Sequence, residues 1–498
     1  MPGHLKRPTG VALEPEVGAP SSVAEPAGPR RSARSLSTAT GASFALRLVG
    51  VGIGMITTAL LARYLSPDGY GVLALAMTLT AAAGQVADMG LAVTVAARVA
   101  TAGPSAGSVL GTGLAMRTIV ALAAMIGLIV AAVAGVFGAS GAVIGVVALA
   151  TPLSAAAVLT AGSTARFRPE ISSLLAVTQA LLWLVAVVAV ARTDRSIGVL
   201  AWAFVLVVLL QTGLGVAMNR RIVPLGRPAV AHARTLLALS WPLAISSVAV
   251  MAYYRLDSVI LFSARGPSEV GYYSAAYKFL DVAQILPAAV VAPLLALGAT
   301  SAAKSDLYRK ALLSLATRAG ALAGIVTAVG LAVLADPLIA WLYGTEFRPA
   351  VIPLRLLGVA FFGVSLGYVG TTLCSAVGKV RALAVLTSLT AVVSLTVHAW
   401  AAPRWGAVGA AAVTAVTELV IGASTCLLAA RAMRSVLPLA SLGGIVAVGA
   451  GVITVTAVLH VDWWIESGLA ALLLSSGLLL SRAVTPADLR RILSRRAL

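Results

Sequence analysis

The chain contains fourteen separate apolar stretches, each long enough to cross a lipid bilayer as a helix. A spanning helix needs about 20 apolar residues, and it must be a helix because hydrocarbon offers its backbone no other hydrogen-bond partner. With 60% hydrophobic residues, 11% charged residues and a mean hydropathy of +0.99, no soluble domain is expected. We therefore predict an all-α membrane protein. The predicted spans cover residues 42–65, 69–91, 109–136, 141–163, 171–191, 197–217, 236–263, 271–298, 311–335, 350–376, 382–401, 406–429, 438–460 and 464–483.

Positive charge alternates from loop to loop. Most of the 36 Lys and Arg residues fall in the termini and loops of one side, while the loops of the other side hold only Arg63, Arg192, Arg195, Arg265, Arg348 and Arg404. By the positive-inside rule, the richer side and both termini are cytoplasmic. The net charge of +19 is then a consequence of topology, so we do not expect nucleic acid as a partner.

A weak internal repeat relates the two halves of the chain. Residues 61–76 (LARYLSPDGYGVLALA) align with residues 261–276 (LFSARGPSEVGYYSAA), pairing Pro67 with Pro267 and Gly71 with Gly271. Six predicted spans separate the copies, so both halves enter the membrane in the same direction. This favours parallel repeats about an axis along the membrane normal, with a substrate site between two lobes. The alternative is that short turns between helices simply favour Pro and Gly.

The repeat divides the chain into five parts. The expected fold has two six-helix lobes with pseudo-twofold symmetry, followed by two extra C-terminal helices. The predicted parts are a disordered cytoplasmic tail (1–40), an N-lobe with spans 1–6 (41–234), a C-lobe with spans 7–12 (235–434), spans 13 and 14 (435–485) and a basic cytoplasmic tail (486–498).

Catalytic and metal-binding patterns are missing from the sequence. The loops are too short for a folded domain, and we find no phosphate-binding loop, no HExxH motif and no Cys/His cluster with metal spacing. Cys374 and Cys426 lie in apolar stretches, where we expect them to pack as small hydrophobic residues. We predict a transporter without cofactors or metals, not an enzyme.

Six basic residues lie inside predicted spans, where a charge costs about 2.5–3.5 kcal/mol and usually faces a partner or a polar cavity. Arg47 is at a depth where a bridge to Asp88 of span 2 is one interpretation. Arg117 and Arg318 occupy corresponding helices of the two lobes, where either could instead extend to the headgroups. The six residues are Arg47, Arg117, Arg255, Lys278, Arg318 and Arg355.

The stretch from 253 to 281 (YYRLDSVILFSARGPSEVGYYSAAYKFLD) carries four of the chain's charges at one depth. Lys278 and Asp281 share a helix face, whereas Arg255 and Asp257, two residues apart, point to different sides. Either the four charges form bridges between helices, or one cation is left to bind a ligand anion.

Span 12 contains Glu418 near its centre, where an acid is a candidate proton or Na⁺ site or the partner of a basic residue. Large aromatic residues lie mostly at span ends, which favours a membrane-interface belt over sugar stacking. These residues are Trp183, Trp202, Trp241, Tyr343, Trp463 and Trp464.

Three sequence stretches resemble a known family. ALLARYLSPDGYGVLALAMTLTAAAGQVADMGL (59–91), RLDSVILFSARGPSEVGYYSAAYKF (255–279), and WLYGTEFRPAVIPLRLLGVAFF (341–362) with SAVGKVRA (375–382) are similar to Wzx-type polysaccharide flippases of the multidrug/oligosaccharidyl-lipid/polysaccharide (MOP) exporter superfamily. The resemblance implies two lobes around a cationic central cavity. It also implies alternating access that moves a polyprenyl-diphosphate-linked oligosaccharide from the cytoplasmic to the outer leaflet of the bacterial plasma membrane.

Arginine suits a diphosphate because its planar guanidinium can contact two oxygens at once. We predict that the substrate is bound by Arg47, Arg117, Arg255, Lys278 and Arg318. Lumen tuning or ion coupling is assigned to Asp88, Asp257, Asp281 and Glu418. Expected partners are the lipid-linked oligosaccharide and membrane lipid, with H⁺ or Na⁺ as candidate coupling ions and a polymerase or glycosyltransferase of the same pathway as a candidate protein partner.

Two other functions are consistent with the sequence. One is a cation-coupled multidrug exporter of the same superfamily, which an acid facing the cavity of the first lobe would favour. The other is a membrane polymerase or glycosyltransferase that uses lipid-linked sugars, although such enzymes usually have a larger external loop than any found here.

Overall fold

A computed structural model of the chain describes residues 33–166, 170–193, 196–287, 306–459 and 462–480. All regular structure in these ranges is helical, which confirms the predicted class. The helices are α1 (Ala33–Tyr64), α2 (Pro67–Asp88), α3 (Leu91–Thr101), α4 (Ala106–Val133), α5 (Gly141–Ala148), α6 (Ala150–Ser154), α7 (Thr160–Ala165), α8 (Glu170–Thr193), α9 (Ile197–Asn219), α10 (Val230–Arg265), α11 (Pro267–Ala283), α12 (Asp306–Tyr343), α13 (Val351–Ala376), α14 (Val380–Ala432), α15 (Leu439–Leu459) and α16 (Trp463–Leu480).

Ten helical stretches in the described chain are long and apolar enough to cross a membrane. One of them, α14, has 53 residues and contains two predicted spans, 382–401 and 406–429. It bends at Gly406, where φ is 56°, three residues after Pro403. Only glycine adopts that φ readily, so the residue allows two antiparallel spans to follow each other almost directly. The count of fourteen spans stays a prediction.

Helix α1 begins at Ala33, while its apolar, membrane-spanning part is Phe44–Tyr64. The predicted boundaries of the five parts stay predictions. Residues 1–32, the end of span 8 (288–298) and the basic tail (486–498) lie outside the described residues.

Span 4 is an irregular helix instead of the continuous one that its apolar run predicted. It divides into α5, α6, a 3-10 turn at Ala155–Leu159 and α7. Pro152 lies in the middle and has no N–H to donate to the preceding turn. Polar side chains satisfy nearby carbonyls, since Ser154 Oγ donates to Thr151 O at 2.6 Å and Thr212 Oγ1 of α9 donates to Leu153 O at 3.1 Å. Side-chain hydrogen bonds of this kind replace the missing backbone hydrogen bonds, and this allows an interrupted helix to lie within a bilayer.

The repeated turn begins α2 in the first half and α11 in the second. Ser66 caps α2, accepting a hydrogen bond from Gly69 N at 3.3 Å, and Pro67 occupies the first helical position. Pro267 begins α11 in the same way, after Gly266 with φ 88°. Proline suits this position because it needs no N–H there and its φ is already helical.

The two copies of the repeat meet where α2 crosses α11. A Cβ atom placed on Gly71 would lie 1.9 Å from Pro267 O, and one placed on Gly271 would lie 2.3 Å from Pro67 O. The contact is therefore reciprocal, as expected at a pseudo-twofold axis. It brings the first half, α1 to α9, against the second half, α10 to α14.

Aromatic side chains fill this junction on the predicted outer side. Phe347, fully buried in the turn before α13, packs edge-to-face against Tyr70 of α2 at 5.7 Å and Tyr272 of α11 at 6.1 Å. Tyr343 contacts Phe347 at 5.7 Å and Phe279 at 5.8 Å between ring centroids. We call Tyr70, Tyr272, Phe279, Tyr343 and Phe347 the aromatic cluster. Such contacts join elements of both halves.

Helices α15 and α16 pack outside the two halves, on α12. Ile325 and Val329 of α12 form one apolar cluster with Ile445 of α15 and Leu474 of α16. These two helices are the extra C-terminal pair that the sequence predicted.

Candidate functional site

A cavity of about 570 Å³ lies between the halves, and three of the predicted cations line it. Arg117 comes from α4, Arg255 from α10 and Lys278 from α11. The remaining wall is formed mainly by α2, α8 and α9 of the first half. Since one wall carries the stretch 253–281, the cavity explains why charges interrupt two otherwise apolar spans.

Arg117 is held by an acid of the neighbouring helix. Its Nη1 donates to Asp88 Oδ1 at 2.5 Å, and the residue is only 8% exposed. The Nε atom of Arg117 is buried and has no hydrogen-bond partner in the described chain. The pairing of Asp88 with Arg47, one interpretation of the sequence, is wrong, because Asp88 is engaged by Arg117 and Arg47 is exposed.

Arg255 and Lys278 face the cavity together with Asp281. Both cations interact electrostatically with the Asp281 carboxylate. Within the described residues, however, neither has a carboxylate oxygen within salt-bridge distance. Arg255 and Lys278 share the cavity wall with two carboxylates, Asp281 and Asp257, so the binding of a ligand anion by one of these cations stays a prediction.

Asp257 is buried and satisfied by hydroxyl groups. It is 4% exposed, and Tyr273 Oη donates to its Oδ2 at 2.6 Å. The same Tyr273 oxygen lies 3.0 Å from Thr414 Oγ1 of α14. The Oδ1 atom accepts from Ser258 N at 2.6 Å and from Ser258 Oγ at 3.3 Å. Asp257 therefore does not form a salt bridge with Arg255. This agrees with their spacing of two residues, which points the side chains to different sides of the helix.

Besides Asp88, which contacts Arg117 from behind the wall, three predicted site residues lie away from the cavity. Arg47 is exposed on α1. Arg318 of α12 donates from Nη2 to Ser441 Oγ of α15 at 2.6 Å, so it joins the extra helices to the second half. Glu418 is 3% exposed within α14 and interacts electrostatically with Tyr368 of α13. The sequence located these charges in depth but could not orient them around each helix.

The structure adds polar residues that the sequence analysis did not assign to a site. Gln85 of α2, Gln179 of α8 and Gln211 of α9 all line the cavity. Trp183 lines it too, packed edge-to-face on Phe204 at 5.4 Å, so its assignment to an interface belt is corrected. Glutamine inside an apolar span was the available signal, since an amide in hydrocarbon needs a partner.

The arrangement can hold an anion and hydroxyl groups. Its cations come from different helices, and its amides supply both donors and acceptors. In the described part of the chain, no group of three or more His, Cys, Asp or Glu side chains could hold a metal ion.

The fold is similar to those of known membrane transporters. The structure of the lipid II flippase MurJ in an inward closed conformation matches with a TM-score of 0.73 and 14% identity, over 92% of this chain and 99% of that one. An outward-facing MATE family multidrug transporter of the MOP superfamily matches with a TM-score of 0.56 and 14% identity, over 80% and 96%. A MOP superfamily transporter from Pyrococcus furiosus gives 0.56 and 13%, over 80% and 96%. No curated protein is significantly similar in sequence.

Family membership comes from the sequence itself. Residues 60–352 match the polysaccharide biosynthesis protein family, and this range is more than half of the chain. It includes both copies of the repeat and the cavity residues from Leu61 to Asp281. The chain belongs to the polysaccharide biosynthesis protein family, with the fold of the MOP superfamily.

Proposed function

We propose that this protein moves a polyprenyl-diphosphate-linked oligosaccharide from the cytoplasmic to the outer leaflet of the bacterial plasma membrane. The observation that carries the proposal is the pair Arg255 and Lys278, two cations without salt-bridge partners in the described chain, on the wall of a cavity between two halves. Family membership and the MurJ-like fold support the same substrate class.

A polar passage is what such a substrate needs. Sugar hydroxyls lose their hydrogen bonds in hydrocarbon, and a diphosphate loses its hydration, so the headgroup does not cross the bilayer unaided. A cavity lined by cations and amides replaces both sets of interactions. The polyprenyl chain can stay in the lipid while the headgroup passes between the halves.

Each group in the cavity has a role in this proposal. Arg255 and Lys278 bind the diphosphate oxygens through charge-assisted hydrogen bonds. Arg117 adds positive charge at the cavity wall while Asp88 fixes its orientation. Asp281 limits the net positive charge, so that the substrate is bound and then released.

The sugar is held by the neutral side of the cavity. Gln85, Gln179 and Gln211 supply amides for its hydroxyls, and Trp183 offers an apolar ring face to a sugar ring. Asp257, tied to α14 through Tyr273 and Thr414, is our candidate for coupling to H⁺ or Na⁺.

Two features favour the flippase over the alternatives. An acid on the cavity wall of the first half would favour a cation-coupled drug exporter. Among the described residues of the first half, the cavity wall contains no Asp or Glu. A polymerase or glycosyltransferase requires catalytic residues in a substantial loop. The connection between α12 and α13, the external connection for which the sequence predicted the greatest length, is a short turn at Thr345–Ala350.

The test is leaflet exchange in proteoliposomes containing a polyprenyl diphosphate with a labelled oligosaccharide, measured by protection of the sugar from an added glycosidase. The double variant Arg255→Ala/Lys278→Ala should lose transport, while a variant with Arg348→Ala, whose side chain is 70% exposed, should keep it. Both should insert and purify like the wild type. Full transport by the double variant would remove these two residues from the site, and sugar chain elongation would favour the enzyme.

A further inference from the structure

A second basic pocket lies at the opposite end of the junction between the halves, away from the aromatic cluster. It has a volume of about 200 Å³ and lies between α3, the start of α4 and the first turns of α10. Its polar lining residues are Arg98, Thr101, Ser105, His232 and Thr235. No acidic residue of the described chain lines it, so Arg98 gives it a positive charge.

The Arg98 guanidinium has no protein partner among the described residues. Within the described residues it makes no hydrogen bond and no ion pair. His232 faces the same space from α10 and is half-buried. Val109 and Leu236, both nearly inaccessible, form an apolar floor. A guanidinium and an imidazole over an apolar floor, without a carboxylate, suit a phosphate group.

The pocket is bordered by a rigid connection between the halves. The chain from α9 to α10 is fixed on α4 by Gly226 N donating to Gly107 O at 2.9 Å and Ser108 Oγ donating to Arg227 O at 2.8 Å. Ala229 N donates to Thr112 Oγ1 at 3.0 Å. These bonds hold the first turn of α10, which carries His232, beside α4.

The surroundings favour a lipid over a soluble anion. Helix α3 is too short to span a bilayer, and it exposes Val93 at 67% as well as the Arg98 side chain. A short helix with an exposed apolar residue and a cation is typical of the membrane interface. The many basic residues of the same loops predict that this side faces the cytoplasm.

We propose that this pocket binds the phosphate group of a lipid in the cytoplasmic leaflet and thereby links α3 and α4 of the first half to α10 of the second. This lipid site shares no lining residue with the transport cavity. A ligand that contacts both halves stabilises the arrangement in which they are close, and this raises the melting temperature of the protein.

The experiment measures binding and melting temperature of the full-length protein in a neutral detergent, with three probes: dioleoyl phosphatidic acid, dioleoylglycerol and inorganic phosphate. We expect phosphatidic acid to bind and to raise the Tm, dioleoylglycerol to do neither, and inorganic phosphate to bind at least tenfold more weakly because it lacks the apolar chain contacts. Arg98→Gln should weaken binding of phosphatidic acid by about tenfold or more, through loss of a charge-assisted hydrogen bond.

Arg221→Gln is the matched control, because it removes one positive charge from an exposed residue on the same side but outside the pocket. It should bind phosphatidic acid like the wild type. His232→Ala should give a smaller loss than Arg98→Gln. Equal weakening by Arg98→Gln and Arg221→Gln would show general charge attraction and overturn the site. Equal affinity for inorganic phosphate and phosphatidic acid would overturn the assignment to a lipid.

Discussion

Gly71 of α2 lies against the carbonyl of Pro267, the first residue of α11, and Gly271 of α11 lies against the carbonyl of Pro67, the first residue of α2. The two glycines occupy matching positions of the two halves. The reciprocal distances of 1.9 and 2.3 Å from hypothetical Cβ atoms leave no room for a side chain on either residue. Because the obstacle is backbone, it cannot rotate away. In the proposed alternating-access mechanism, the outward-facing state must therefore open this crossing of α2 and α11.

We predict that Gly71→Ala separates α2 from α11. The added methyl group would destabilise the closed junction by about 1–3 kcal/mol, as overpacking typically does. Distances between spin labels near the start of α2 and the start of α11 should lengthen. Gly69→Ala is the matched control, since its Cβ would meet only Leu65 and Ser66 side chains at 3.5 Å or more. Unchanged distances in Gly71→Ala would mean that this crossing does not restrain the halves.

The contact between Arg117 and Asp88 gives a second prediction, on stability. Asp88→Asn leaves the Arg117 charge without its partner, so we expect a loss on the order of 2 kcal/mol, measured by thermal unfolding in detergent. Replacing Arg117 by Met in the Asp88→Asn background should recover most of that loss, because no buried charge remains. Similar stability for the single and double variants would show that the unpaired Arg117 charge is not the cause of the loss.

This pair also shows what the sequence could not decide. Depth along a helix can be counted from its ends, so the sequence places Arg47 and Asp88 near one level. Rotation around the helix axis and the order of neighbours depend on packing, which placed α4 beside α2 with Arg117 toward Asp88. The same limit applies to Arg318, whose partner Ser441 belongs to a helix outside the predicted lobes.

The repeat was more informative than its few identities implied. Pro67 and Pro267 define helix starts, and Gly71 and Gly271 allow close backbone approach, so each identity has a local physical reason. By contrast, the three cavity glutamines carry no spacing signal, and no sequence pattern assigns Trp183, near the middle of its predicted span, to a cavity. Their role depends on which helices surround the cavity, and this is a property of the fold.

A third prediction concerns the hydrogen bonds of buried Asp257. Tyr273→Phe removes the 2.6 Å bond to Oδ2 and the link to Thr414, leaving a buried carboxylate oxygen unsatisfied. We expect a loss of about 2 kcal/mol in thermal stability. Thr414→Val removes only the outer contact and should cost less. If Thr414→Val were as damaging as Tyr273→Phe, the hydroxyl of Tyr273 would not be the main support of Asp257.

A fourth prediction tests the bend in α14. Glu269 of α11 accepts a hydrogen bond from Ala407 N at 2.6 Å, so its carboxylate caps the helix that continues after Gly406. Glu269→Gln removes the negative charge from this helix N-terminus and should lower stability by about 1 kcal/mol. Glu346→Gln, at an exposed position in the turn before α13, is the control and should have no measurable effect on the melting temperature.

The aromatic cluster gives the last prediction, which concerns permeability. Phe347 is fully buried between Tyr70 of α2 and Tyr272 of α11, so it fills the junction on the predicted outer side of the cavity. Phe347→Ala leaves a void there and should cost about 3–5 kcal/mol. A cysteine introduced at Ser274 on the cavity wall should then react faster with a membrane-impermeant thiol reagent added from outside.

Trp341→Ala, whose side chain is 74% exposed, should leave both stability and labelling rate unchanged. If Phe347→Ala lowers stability but leaves the labelling rate at the wild-type value, then the contact of Gly71 with Gly271 closes the outer side without help from the aromatic cluster.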